Sequence, residues 1–473
     1  MYFSGINIKK KLEKIRKKSF FNFFFLKFKN TKNNLMIRYL IFVFFLFNSF
    51  NAKSQKVWRL KDCIDYALKN NILIKQSKLN TEISKSDEKF SKLNLLPRIN
   101  SNGRFNRNQG RSIDPFSNSF IEQVNSNMNF SYNSDIVLFN GLSKINQIKK
   151  SKNSIKINEY ETENIKNNLI SSIALNYLQI LFNIELCTLA NNQLDLSLEQ
   201  ELRLSNLYNE GLISYGELLN IQSQIALDEK QITDSKNQLQ LSKLQLAQLL
   251  ELDDFMQLNI IFDSISIPPV ILIDDLENDY KIALKNQSLI KSGNLKIINS
   301  KIDYKIAKSN IYPSLSVGLS AGTIFSDNVS YLFSFWDQIR NNRNSVIYLS
   351  LNIPIFNNWI NKNNIQKSKI NIENTILSVQ TDKNNLKQNM QIAFNDQLSA
   401  YKNYIASEKV LISNQEEYNY IIEKYELGIV NSFEFNQIKN KLINSKSDLL
   451  QAKYDFIFKI QLYKFYSNLN FSL

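Results

Sequence analysis

The 473-residue sequence contains no histidine, only 2 cysteines, 10 glycines and 6 prolines. Without histidine, Ser-His-Asp triads, His-containing zinc sites and imidazole general bases are all unavailable. The glycines never cluster, so there is no phosphate-cradling loop. Cys63 and Cys187 stand in no metal or redox spacing and read as small apolar packing residues. No pair of acids stands where strand and loop order would build a pocket. No catalytic residue, cofactor or metal is therefore expected, and the chain is not expected to be an enzyme. Few glycines and prolines also means long, uninterrupted elements.

Positive charge is less abundant than it first looks. The net charge is +15, but most of the excess lies in residues 1–54, whose only acid is Glu13. The remainder is close to balanced, so a nucleic-acid partner is not expected. The N-terminal region instead reads as a targeting signal with Met36 as the working start. Arg38 is its positive region, Tyr39 to Phe47 its apolar region, and Ala52-Lys53-Ser54 a small-x-small cleavage site before Gln55. The apolar run is shorter than the ~20 residues a spanning helix needs. Residues 1–54 are thus expected to be an extension and a signal peptide cleaved near Ser54, and the protein to be exported.

What the sequence does contain is a duplication. Ala67-Leu68-Lys69-Asn70 recurs as Ala283-Leu284-Lys285-Asn286, and Pro97 recurs as Pro313. Phe139-Asn140 recurs as Phe356-Asn357, Lys150-Ser151-Lys152 as Lys367-Ser368-Lys369, and Gly211 as Gly428. Chance matches would not keep register over such a distance. The chain divides into a first repeat at 55–252, a linker at 253–275 containing Pro268-Pro269, a second repeat at 276–467 and a tail at 468–473.

Each repeat opens with helical spacing, Leu60 to Leu96 and Leu276 to Tyr312, ending at the residue before a proline. Each reads as one helix of about 35 residues. The period then falls to two. Leu315, Val317, Leu319 and Ala321 alternate with Ser316, Gly318, Ser320 and Gly322, and Ile347, Leu349, Leu351 and Ile353 with Tyr348, Ser350 and Asn352. Met128, Phe130 and Tyr132 alternate more weakly with Asn129, Ser131 and Asn133. One apolar and one polar face suits a barrel wall between lipid and water. Strands are expected at about 98–108, 125–139, 314–325 and 345–356. Polar loops join them at 107–124, with Pro115, and 326–344, with Trp336. The loop aromatics Phe116, Phe120, Phe333 and Trp336 read as interface or loop-core residues.

Helical hairpins are expected at 141–252 and 358–467. Neither glycine nor proline interrupts the stretch from Gly141 to Gly211, which as a helix is about 100 Å long. Such a helix stands only when packed along its side. Ile165, Leu169, Ile173, Tyr177, Leu181 and Ile184 recur at coiled-coil spacing. The returning arms are about half as long, so a first helix and a returning arm stacked end to end match the long one, with a seam near mid-height.

At the hairpin tips, Gly211 and Gly428 suit the left-handed residue that ends a helix. Ser214 with Glu217, and Asn431 with Glu434, have the form of caps that begin the next one. Glu217 and Glu434 read equally as capping acids. Tyr208 and Tyr425 are candidates for hydrogen bonds across the tips or for coiled-coil packing. Four strands cannot stand alone in lipid, since an open sheet leaves backbone groups unpaired there. Known barrels close with 8 strands or more, so several chains must share one.

The duplicated order of helix, strand pair, long helix, glycine tip and returning helix, with Phe-Asn-Gly at the strand-to-helix junction and Tyr-x-x-Gly at the tips, resembles the TolC family of outer-membrane efflux proteins. The likeness runs over about 57–467. It implies an α+β membrane protein, a homotrimer with a twelve-stranded barrel in outer-membrane lipid and a helical tunnel across the periplasm of a Gram-negative envelope. It also implies an exit duct of a tripartite efflux or type I secretion system, docked on a periplasmic adaptor and an inner-membrane pump. By the resemblance, Gly211, Leu212, Gly428 and Ile429 contact the adaptor. Glu210 and Leu427 stand where the family has Val. Glu434 takes the first acidic position that narrows the periplasmic mouth, Gln437 stands at the second, and Glu217 is the corresponding acid of the first tip. The alternatives are an exported coiled-coil structural protein and a periplasmic adaptor of the same machinery. The adaptor would carry one hairpin flanked by compact β domains.

Overall fold

The chain from Trp58 onward starts with α1 (Leu60–Asn70) and α2 (Ile72–Leu93), two helices where the spacing predicts one. Asn71 makes the break. Its backbone leaves the helical region at ψ 131°, and its side-chain oxygen accepts from Leu73 N at 3.0 Å and Ile74 N at 3.4 Å, capping α2. Its amide nitrogen donates to Leu249 O at 3.3 Å, so the break is fixed by a contact far away in sequence. β1 (Arg98–Asn108) and β2 (Asn125–Asn140) follow, then α3 (Ser143–Asn209) and α4 (Tyr215–Leu249).

The second repeat keeps this order with α5 (Leu276–Asn286) and α6 (Ser288–Ser309), again broken, at Gln287. β3 (Ser314–Ser326), α7 (Phe335–Asn341), β4 (Asn344–Asn352), α8 (Ile360–Glu426) and α9 (Ser432–Asn468) complete it. α3 and α8 are both 67 residues long, about 100 Å. β4 stops at Asn352 rather than running to 356, because Pro354 has no N–H for the ladder.

This computed structural model describes residues 57–113, 118–122, 124–254, 258–261 and 276–468. The signal region, Pro115, Phe116, Pro268-Pro269 and residues 469–473 lie outside them. Of the chain's two units, Met1–Val57 and Trp58–Leu473, every element named above belongs to the second.

The four strands form one antiparallel sheet in the order β1-β2-β3-β4, so the two repeats meet at β2 and β3. Register puts Phe105 opposite Met128, Tyr132 opposite Ala321, and Leu319 opposite Ile347. Strand alternation therefore gathers these residues, with Leu315, Val317, Leu349 and Leu351, on one apolar face. Asn100, Asn102, Arg104, Asn129, Asn133 and Ser320 share the other face, where Ser320 Oγ donates to Asn133 Oδ1 at 2.8 Å. β1 and β4 are the edges of the sheet.

From the sheet the chain turns into each long helix through two consecutive left-handed residues, Gly141 and Leu142 (φ 61° and 67°) and Asn358 and Trp359 (φ 53° and 64°). Asn140 and Asn357 accept from the helix starts at Lys144 N and Asn361 N. Around the half nearest the sheet, helices approach through small polar residues. Ser77 meets Thr162 at 2.7 Å and Ser91 meets Ser151 at 2.9 Å.

The main apolar core lies where α1, the end of α4 and the middle of α3 converge, around Cys63, Ala67, Ile173, Ile180, Leu246 and Leu250. A stretch of α3 is apolar enough to cross a membrane by length and composition, and half of it is buried in the protein. Leu169, Ile173, Tyr177, Ile180 and Leu181 are core positions of this cluster.

Candidate functional site

Both hairpins end in the same backbone device. Leu212 N donates to Leu207 O and Gly211 N to Tyr208 O, and Ile429 N donates to Lys424 O and Gly428 N to Tyr425 O. These are Schellman closures, each around a glycine at φ 74° or 71°. An added Cβ at either glycine would meet no atom within 4 Å, so only the left-handed backbone demands glycine there. Leu212, Leu427, Ile429 and Phe433 stand exposed around the closures and make apolar tips.

The helix starts differ. Asn431 Oδ1 accepts from Glu434 N at 2.9 Å. Ser214 corrects the sequence expectation: it has the extended N-cap backbone, but its hydroxyl makes no capping bond. The Ser214 carbonyl takes Glu217 N at 3.1 Å instead, which already satisfies the donor that the hydroxyl would have capped. Glu434 and Gln437 are exposed, and Gln437 lines a cavity of about 800 Å³ together with Asn220, Gln224 and Phe433.

The two tips are tied to each other. Arg203 of α3 pairs with Glu426 of α8 at 3.5 Å, an exposed bridge contributing little. The Tyr425 ring stacks on Phe435 at 4.5 Å between centroids, and Tyr208 lies against Tyr215 at 5.7 Å. Burial, reinforced by the Glu217 carboxylate of the other tip, pushes the Tyr425 phenol above its usual range. The Glu217 carboxylate is thus felt electrostatically at Tyr425 of the other tip.

About two turns above the second tip lies a polar cluster that sequence reasoning missed. Lys439 of α9 is only 4% exposed. Its ammonium donates to Ser197 Oγ at 3.3 Å and Gln200 Oε1 at 3.1 Å, both on α3. Ser197 Oγ donates to Asp228 Oδ2 at 2.6 Å, and Gln224 Nε2 to Asp228 Oδ1 at 2.9 Å. Desolvation holds the Lys439 amine below its ordinary value, partly offset by Asp228. Three helices of the two hairpins are thereby joined through two buried charged residues, Lys439 and Asp228. Its only signal in the sequence is a lysine at core spacing between Phe435 and Leu442. Among the described residues no group of three or more Cys, Asp or Glu could hold a metal ion.

A model of the outer membrane efflux protein family matches residues 63–251 and 280–458, both repeats. A comparison with curated proteins finds no match. Several solved structures share the fold. The CmeC outer membrane channel of Campylobacter jejuni is 16% identical with a TM-score of 0.74, over 86% of this chain and 85% of that one. The outer membrane protein VceC of Vibrio cholerae is 12% identical with a TM-score of 0.71, over 86% and 95%. The open state of the MtrE outer membrane channel of Neisseria gonorrhoeae is 16% identical with a TM-score of 0.68, over 87% and 88%.

Proposed function

Because this chain belongs to the outer membrane efflux protein family, and so is a channel of the outer membrane that extends into the periplasm, we propose that three copies close one conduit. Twelve strands line its membrane segment and six helical hairpins its tunnel. The conduit is the exit duct for cargo handed over by an inner-membrane pump through a periplasmic adaptor. The observation that carries this is the four-stranded sheet, apolar on one face, polar on the other and open at β1 and β4, with helices about 100 Å long leaving one end. A sheet with two open edges is not viable in lipid until neighbouring copies pair with it.

The apolar tips around Gly211 and Gly428, with Leu212 and Ile429, are the adaptor-docking surface of this reading. Glu434, exposed one turn beyond the second tip, forms a three-fold ring at the mouth, and Gln437 above it adds polarity without charge. A ring of carboxylates prefers cations. In planar bilayers, wild-type channels are expected to be blocked by divalent cations from the tip side. Glu434→Ala should weaken that block about tenfold, the scale of losing one carboxylate site. Unaltered block would remove Glu434 from the mouth, and absence of any conductance would remove the conduit.

A further inference from the structure

The loop between β3 and β4 is folded rather than loose, and it is fastened to one particular face of the sheet. Thr323 Oγ1 donates to Ile339 O at 2.9 Å, and the Phe325 ring packs on Phe335 at 5.1 Å. Both strand residues have the parity of Leu315, Val317, Leu319 and Ala321, so α7 leans over the outer end of the apolar face. Gln338, buried, locks it there by accepting from Ser326 N at 2.9 Å and donating to Ser326 O at 3.0 Å and Phe333 O at 3.2 Å. Ser334 and Asp337 close a capping box that occupies the only acid of the helix.

α7 and its approach expose apolar, aromatic and basic side chains, with Asp337 the one exposed acid of the segment, held in the capping box. Tyr331 is 80% exposed, Leu332 62% and Trp336 72%, and Arg340 and Arg343 stand beside them. From Leu315 to Phe325 the strand climbs about 25 Å along the barrel axis at the usual tilt, the height of the apolar band of outer-membrane barrels. α7 therefore sits at the outer boundary of that band, on the lipid side. Tryptophan and tyrosine favour this depth, where the ring body is apolar and the polar edge wet. Arginine forks suit phosphate-bearing headgroups.

We propose that the 331–343 segment is a membrane anchor, with Tyr331, Leu332 and Trp336 seated in the interface of the outer leaflet and Arg340 and Arg343 on lipid phosphates. The proposal rests on the apolar face of the sheet meeting lipid, and its test separates the two.

The full-length oligomer is reconstituted into phosphatidylglycerol-containing vesicles, and Trp336 emission is taken as wild type minus Trp336→Phe. Lipid brominated near its carbonyl end is expected to remove about half of that emission, as for a side chain at interfacial depth, while acrylamide in the water leaves it. Emission open to acrylamide and untouched by bromine overturns the anchor, as does quenching only by lipid brominated near the chain terminus. Leu319→Trp, mid-strand on the apolar face, is the control and should be quenched by the deep bromines. If it is quenched and Trp336 is not, the anchor alone fails. If neither is quenched, the apolar face does not meet lipid.

Discussion

Lys439 occupies a position where a coiled coil would ordinarily hold a leucine, with Phe435 and Leu442 buried on either side of it. Its amine is held below its ordinary value, so between that lowered value and about 10.4 the unfolded chain keeps a proton that the folded chain has released. Stability therefore rises with pH across this window. Tyr418 and Tyr425, whose phenols burial pushes upward, act in the opposite sense above about 10. They are common to wild type and variant, so the difference between the two isolates the lysine. Lys439→Met removes the buried cation and leaves Asp228 with Ser197 and Gln224. With Asp228 itself buried, losing its cation should make the variant less stable than wild type at neutral pH, by up to about 3 kcal/mol, and its thermal midpoint should lack the wild-type rise toward alkaline pH. An identical pH profile would mean that the amine is solvated.

This cluster was illegible in the sequence because a lone lysine in a helix reads as surface, and its partners lie on other helices, more than 200 positions away. The glycine tips were legible because their chemistry is local. Ser214 shows the limit even there: the right residue at the right spacing, with the bond made by its carbonyl instead.

At the scale of elements, the two kinds of glycine turn separate backbone demand from packing demand. Gly428→Ala meets only the left-handed penalty, about 1 kcal/mol. At Gly141 an added Cβ would also lie 2.7 Å from Ser309 O, at the end of α6 in the other repeat. That contact must open, so Gly141→Ala should destabilise by at least about 2 kcal/mol more. Chemical denaturation followed by circular dichroism measures both, and equal losses would refute the difference. The long helices and the alternating strands could be read from period and from the near absence of glycine and proline. The breaks at Asn71 and Gln287 could not, since the helical period runs straight through them. They exist because the side chain of each reaches a carbonyl near the end of a returning arm, Leu249 O for Asn71 and Tyr466 O for Gln287, both at 3.3 Å.

For the whole molecule, the open edges at β1 and β4 make an isolated chain the wrong species in a membrane. Detergent extracts should yield three chains by native mass spectrometry, resistant to dissociation until heated, and a stable monomer would be incompatible with the proposed conduit. The residues themselves argue that several chains share one barrel, since four strands cannot close alone; the count of three comes from the family resemblance.

The seam at mid-height has a mechanical meaning. α2 and α4 abut there, as do α6 and α9, so each pair is two struts meeting end to end and held by side-chain bonds to carbonyls. Only α3 and α8 run unbroken past the joint. In the first repeat the joint is also where the main apolar core gathers, with Ile74, Leu246 and Leu250 packed on Ile173 of the unbroken α3, so the ends of the two struts are splinted by the continuous helix beside them.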